Sequence, residues 1–586
     1  MSDKDNRIDT GGDDGRTPVD ILGSDEGRRQ FLRAVGAAGI AGLAGCTGDG
    51  GDGGGDGSTG DGGSDDGGSD DGGTGDGGTG DGDGGDRSGR LRLNAVQRFG
   101  TVDPAKGTDY TQTMAMVNLY DPLVFPTPEG EIRPHLAEDW TVSDDSRSFS
   151  FTVRDDAQFH SGNRVTAEDV KFSLERLLDI NQGFASQFND LVDPSNVTVE
   201  GDQQVTFELD QVFSPFVSAL VLLFVVDKQE IMDNAEDGEF GDRGDYGQAY
   251  LQNDDAGSGP YTLGSFERGT SITWERFEDY WMEFPDGAFD TVTAEIITED
   301  STVRSLMRSG DLDMTSQYQS NETFETLAEE SGVRVEEIPT ATMFYFKINT
   351  QKSPVDDRAV RRAMAYGFDY ETARTEIAPG SERAIGPIPD LFSVHNGDIQ
   401  QPTYDPERAR QILADAGYSE GDIQVTNTYV QDFGLEEKMG LLFQQNMDQI
   451  GIDVELQPQT WGTITDRAAS VESTPHVTQV FYGPIKPHPD SFFFNQYHSG
   501  AADSWINMEH LEDDQVDTMI DEARATVDAD RRAGIYRDLQ TRIAGLTPDL
   551  FVFNQVKRLG FREDVQGYTF RPAQSYDYWW HDYHEA

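Results

Sequence analysis

Between Thr47 and Gly89 the chain contains only Gly, Asp, Ser and Thr, apart from Arg87. Nothing in that stretch can be buried, so no packing offsets the entropy of ordering it. The tract confines any compact fold to the residues after it, roughly Arg90 to Ala586, and reads as a self-repelling, flexible spacer. Gly-Asp repeats also occur in calcium-binding β-rolls, but a roll needs a periodic large apolar residue, which is missing here.

What precedes the tract explains a spacer. Arg28-Arg29 is followed by Phe31-Leu32 and by a short, weakly apolar stretch from Ala34 to Gly45. That stretch is too short to span a bilayer comfortably. It ends in Leu43-Ala44-Gly45-Cys46, which resembles a lipoprotein box, so the segment resembles a twin-arginine export signal cleaved before a lipid-modified Cys46. Cys46 is the sole cysteine, so an intramolecular disulfide is excluded. The expected division is a signal peptide over 1–45, then a lipidated Cys46 and linker over 46–89, with export of an already folded domain.

Acidic residues number 108 against 45 basic ones, a formal net charge of −63. Twelve of the Asp residues lie in the tract, so most of the excess belongs to the folded part. Self-repulsion of that size destabilises a compact state at ordinary ionic strength. At molar salt, where the Debye length is about 3 Å, it is largely screened. The composition therefore points to concentrated salt, as in halophilic archaea, and away from nucleic acid, which requires clustered positive charge.

The remaining chain is long enough for two or three domains. Its longest apolar run, Val217 to Val226, reads as a buried strand or helix. Ser148 to Val153 alternates polar and apolar residues, as a half-buried strand does. Thr166 and Asp169 form a capping-box start for a helix carrying Val170, Leu174, Leu177 and Leu178 on one face. Asn196 to Leu209 reads as a hairpin. Asp405-Pro406 opens a helix with Ala409, Ile412, Leu413 and Ala416 as its apolar stripe, and Gly417 stops it. A helix pair near the end carries Val516, Met519, Ile520 and Ala523, then Ile535, Leu539 and Ile543. The class is mixed α/β, without a barrel repeat.

These elements carry a family resemblance. His135-Leu136-Ala137-Glu138-Asp139-Trp140 leads through Phe149, Phe151 and Val153 to Phe159-His160-Ser161-Gly162 and Val165-Thr166-Ala167-Glu168-Asp169-Val170. Gly257-Ser258-Gly259-Pro260-Tyr261, Asp279-Tyr280-Trp281, Gly310-Asp311-Leu312-Asp313, Phe346-Lys347-Ile348-Asn349 and Asp357-Arg358-Ala359-Val360-Arg361 follow in order. Over nearly all of Arg90 to Tyr568 the chain resembles the extracellular solute-binding proteins of family 5, the dipeptide-, oligopeptide- and nickel-type receptors of ABC importers. In that family such motifs build scaffold and do not touch ligand.

The resemblance implies a two-lobed, periplasmic-binding-protein-like fold of type II, in the large cluster with an extra subdomain, with the ligand cleft between the lobes. Lobe I is expected over 90–338 plus 554–586 and lobe II over 339–553. The crossings fall near Pro339 to Phe346 and Pro548 to Phe553, as short buried hinge strands. Partners are a small-molecule or peptide-like solute and membrane permease subunits, with a lipid anchor, no nucleic acid and no cofactor, for a chain acting as a monomer. Family pockets draw on the segment after the first strand, here Thr108, Asp109, Tyr110 and Thr111. They also draw on the hinge, here Phe344 and Tyr345, and on second-lobe loops, here Trp461, Tyr482, Ile485, Lys486, His488 and Trp505. Phe344 serves equally as core packing.

Peptide-binding members place an Asp where Ile485 stands, to pair with a peptide ammonium. An apolar residue cannot neutralise that charge. Ordinary free peptides are therefore expected to bind poorly. Peptide-like, oligosaccharide, opine-like and metal-chelate ligands stay open.

No nucleophile elbow, His-Glu-x-x-His helix or phosphate-binding Gly loop is present. His581 and His584 near the end are too few to argue a metal site. No catalytic residue is expected. A lipid-anchored surface hydrolase is the second reading, and a purely structural surface protein the third.

Overall fold

The computed structural model describes residues 88–586 apart from 190, 432 and 503, so the twin-arginine pair, Cys46 and all but the end of the Gly-Asp tract lie outside the described residues. Two lobes are built on separate sheets. In the first, Arg90–Ala95 pairs in parallel with Thr291–Ile296, which continues antiparallel to Ser271–Arg276 and then to Tyr261–Glu267. Alternation sets the faces: Leu91, Leu93, Val292, Ala294, Ile272 and Trp274 all turn into one core. A second, antiparallel sheet joins Ala137–Val142, Ser148–Val153, Gln204–Glu208 and Val197–Glu200 and packs against the helix Ala167–Ile180.

The second lobe holds a six-stranded mixed sheet. Its order is Glu382–Arg383, Asp549–Arg562, Val333–Ile348, Val477–Tyr482, Ile423–Val430, Ile452–Gln459. Helices cover both faces and make two cores, one around Phe346, Met364 and Phe443, the other around Tyr345, Phe492 and Ile543.

The crossing strands differ from the expected short hinge segments. Val333–Ile348 runs 16 residues and Asp549–Arg562 runs 14. They pair from Val333↔Arg562 to Lys347↔Asp549, with the register broken between Pro339 and Met343. The two prolines that open these segments take different places. Pro339 sits beside the register break, where ladder bonding lapses, and Pro548 lies one residue before its strand.

The local signals otherwise act as their chemistry dictates. Thr166 and Asp169 form a reciprocal capping box. Asp357 and Asp405 each cap a helix through a side-chain oxygen, and Gly417 takes φ +90° just after the second of these helices ends. The apolar run 217–226 is buried as a short helix, Phe216–Ala219, then a single 3₁₀ turn.

The family motifs converge on buried polar hubs. Asp121, 1% exposed, faces His135 Nε2 at 2.7 Å and accepts from the Tyr280 hydroxyl at 3.1 Å, Ser258 Oγ at 3.2 Å and Trp281 Nε1 at 3.3 Å. Three motifs distant in sequence thus meet on one carboxylate. His160 pairs with Asp255, which also accepts from the Leu263 and Gly257 backbone. A Cβ on Gly257 or Gly259 would collide with the Leu119 and Asn118 carbonyls, so only glycine allows that close pass.

The end of the chain returns to the first lobe. Tyr576, Tyr578, Trp579, Trp580 and Tyr583 are all buried in its core. Asn118 fixes them, donating to the Tyr578 carbonyl at 2.7 Å and accepting from Trp580 N at 2.7 Å. Among the described residues no helix is long and apolar enough to cross a membrane.

Candidate ligand-binding cleft

The first lobe's contribution begins at a helix start. Asp109 caps Tyr110–Leu119, with Oδ1 accepting from Gln112 N at 2.8 Å and from Thr111 Oγ1 at 2.9 Å. Gln112 Oε1 returns the contact to Thr108 N at 2.9 Å. Burial pushes the Asp109 carboxyl up, against the lowering effect of those hydrogen bonds. Thr108 offers its carbonyl to Gln574. Thr108, Asp109 and Thr111 are thus engaged in shaping the helix start, and Tyr110 is the member of the set that projects its ring.

Tyr110 meets Tyr318 edge-on at 5.8 Å and Tyr578 edge-on at 5.4 Å between ring centroids. The three rings border a small hollow, with Asn94, Thr111 and Met114 also lining it. None of its lining side chains carries a formal charge. Burial raises Tyr110 and Tyr578, so their hydroxyls stay protonated at neutral pH. Neither Tyr318 nor Tyr578 was evident in the sequence. Tyr318 follows Met314, which bridges Leu93 and Phe561, and Tyr578 arrives from the far end of the chain. Only tertiary adjacency reveals them.

The second lobe supplies an aromatic group at the carboxyl ends of its parallel strands, the edge where open α/β sheets commonly bind ligands. Trp461 begins a helix after Ile452–Gln459, and its ring lies 5.1 Å from Trp505. Tyr482 ends its strand 6.1 Å from Trp505 and donates to the Ser491 carbonyl at 2.5 Å. The indole nitrogens of Trp461 and Trp505 are buried without an acceptor among the described residues.

Phe344 and Tyr345 are not placed on a cleft wall. Both are 0% exposed. Phe344 stacks on Phe553 at 5.2 Å in one core, and Tyr345 donates to the Pro387 carbonyl at 3.2 Å in the other. Their strand is interior to a sheet covered on both faces, so adjacent residues are buried in opposite directions.

From Tyr482 the chain runs directly to the first lobe. Ile485 packs against the first lobe's core. Lys486 does not present a free cation to a ligand: it is 3% exposed, with Nζ 2.9 Å from Gln187 Oε1 and 3.4 Å from Asp490 Oδ2. Burial, with Arg524 close by, lowers its pKa against the pull of Asp490. His488 accepts from Asp490 N at 3.1 Å, and burial lowers it to about 3, so it is neutral. Arg524 Nε lies 3.2 Å from Asp490 Oδ1, its guanidinium 4.9 Å from the Phe213 ring, and its carbonyl accepts from Ser214 N at 2.8 Å. This loop is an interlobe contact, joined by Gln187, Phe213 and Arg524, which sequence reasoning missed.

Comparison with known proteins agrees with this architecture. The family described as bacterial extracellular solute-binding proteins, family 5 (middle), matches residues 131–504. A probable D,D-dipeptide-binding periplasmic protein of Escherichia coli K12 is 27% identical over 482 residues, covering 80% of this chain and 90% of the relative. A heme-binding protein A of Haemophilus influenzae is 24% identical, covering 80% and 87%. Among solved structures, a periplasmic binding protein of Helicobacter pylori in complex with the peptide STSA aligns with a TM-score of 0.71 at 21% identity, over 85% of this chain and 98% of that one. A Campylobacter jejuni protein in complex with Ni(L-His) aligns with a TM-score of 0.72 at 17% identity, over 85% and 100%.

Proposed function

We propose, from the premise that this chain belongs to the family 5 extracellular solute-binding proteins, that it captures a solute between its lobes outside the cell and hands it to the permease of an ABC importer. The observation that carries this reading is mechanical. Two lobes with separate cores are joined by one antiparallel pair of strands, and the loop after Tyr482, together with Arg524, reaches from the second lobe to the first. Such a body can close on a ligand and present a different face once closed. The chain acts as a binder and not a catalyst, with lobe I over 90–338 plus 554–586 and lobe II over 339–553. It works as a monomer tethered by lipid on Cys46 through the Gly-Asp spacer, on the outer face of the membrane and in concentrated salt.

The test is mass spectrometry of protein purified natively in high salt. A stoichiometric small molecule that is released on denaturation and rebinds unchanged supports the reading. A molecule that the protein converts on incubation overturns it in favour of the surface hydrolase.

A further inference from the structure

We infer that the cleft selects an uncharged ligand, held by aromatic faces and neutral hydrogen-bond donors, and rejects the charged ends of a free peptide; this rests on the solute-binding reading above.

The first observation is where the nearby charges go. Asp109 Oδ1 is taken by Gln112 N and Thr111 Oγ1. Lys486 and Arg524 both turn to Asp490 in the interlobe contact, and Lys486 also to Gln187 Oε1. Beneath Tyr578, Lys557 pairs with Asp577, which also accepts from the Tyr568 hydroxyl at 2.8 Å. A zwitterionic peptide brings an ammonium and a carboxylate, and each needs an opposite charge once water is excluded. The hollow's lining has none.

The second observation is what is left unspent. The indole N–H groups of Trp461 and Trp505 are buried donors without acceptors. They sit on the strand edge from which the loop after Tyr482 crosses to the first lobe. A buried donor is satisfied by a neutral carbonyl or hydroxyl oxygen as well as by an anion, without the desolvation cost of a charge. Tyr110, Tyr318 and Tyr578 offer edges and faces suited to a flat apolar ring or a sugar face.

The experiment compares ligand pairs that differ chiefly in charge, by calorimetry on the natively purified protein in molar KCl: Ala-Phe against N-acetyl-Ala-Phe-amide, and methyl glucuronide against methyl glucoside. In any pair that binds, the neutral member should be at least about tenfold tighter. Trp505→Phe, which keeps an aromatic ring and removes the N–H, should weaken that member several-fold while the melting temperature holds. A charged member that binds as well or better overturns the inference and leaves the solute-binding reading standing. Should neither pair bind, the ligand released from native protein is run by capillary electrophoresis at about pH 2 and about pH 9, where a zwitterion becomes a net cation or a net anion. Zero mobility at both supports the inference and measurable mobility at either overturns it. If no released ligand is found and neither pair binds, both this inference and the solute-binding reading fall.

Discussion

Lys486 Nζ of the second lobe lies 2.9 Å from Gln187 Oε1 of the first, across 299 residues of sequence. It is a charge-assisted hydrogen bond whose lysine is almost wholly buried, and it exists only while the lobes stand together. A bond of this kind contributes about 1.5–3 kcal/mol when it is fully formed.

Gln187→Ala should therefore shift the lobes toward opening and weaken retention of the co-purified ligand by about 10- to 100-fold. The radius of gyration in solution scattering and the dissociation constant should change together. The melting temperature of ligand-free protein should hardly move, because neither lobe's core is touched. An unchanged dissociation constant would show that the contact does not bias closure.

Glu436 gives a pH signature. It is 3% exposed and accepts a hydrogen bond from Val430 N at 2.7 Å. Burial raises its carboxyl from 4.5 to about 8. The folded state thus holds a proton between those values that the unfolded state releases. Stability attributable to this group declines as pH rises through that window, by about 1.4 kcal/mol per pH unit, and levels off above it. Glu436→Gln should match the parent in chemical denaturation near pH 4.5 and exceed it in stability at pH 8.5. Parallel pH profiles for the two proteins would refute this.

The acid excess predicts a strong salt response. The melting temperature should rise from low to molar KCl as repulsion among the carboxylates is screened. Salt also strengthens apolar burial. A chaotropic anion at equal ionic strength should retain the part due to screening. A flat or falling curve would remove the halophilic reading.

Tethering is checked by fractionation. Cys46→Ser should move the protein from the membrane to the soluble fraction, and Arg28→Lys with Arg29→Lys should block its export. Retention of the Cys46→Ser protein on membranes would exclude lipid attachment at that residue.

Local chemistry was legible in the sequence wherever a few neighbouring residues decide the outcome. Ser148–Val153 is the strand its alternation describes, and Thr166, Asp357 and Asp405 cap the helices they precede. Family motifs gave the fold because buried hubs such as Asp121 force their residue types. The crossing strands run longer than expected because a register break gives Pro339 a place inside the paired strand. Tyr110 was named through the family resemblance alone. Its partners Tyr318 and Tyr578 were not, since no local pattern brings three distant tyrosines around one hollow. Phe344 and Tyr345 needed the knowledge that both faces of their strand are covered.

The aromatic residues from Tyr576 to Tyr583 that complete the first lobe have a consequence for biosynthesis. Trp580 lies 5.8 Å from Trp274, and Trp579 lies 4.6 Å from Phe125, between ring centroids. The lobe begun at Arg90 therefore stays without its closing aromatic layer while the whole second lobe is being made. It can seal only once nearly the entire chain has left the ribosome. The lobe started first is finished last.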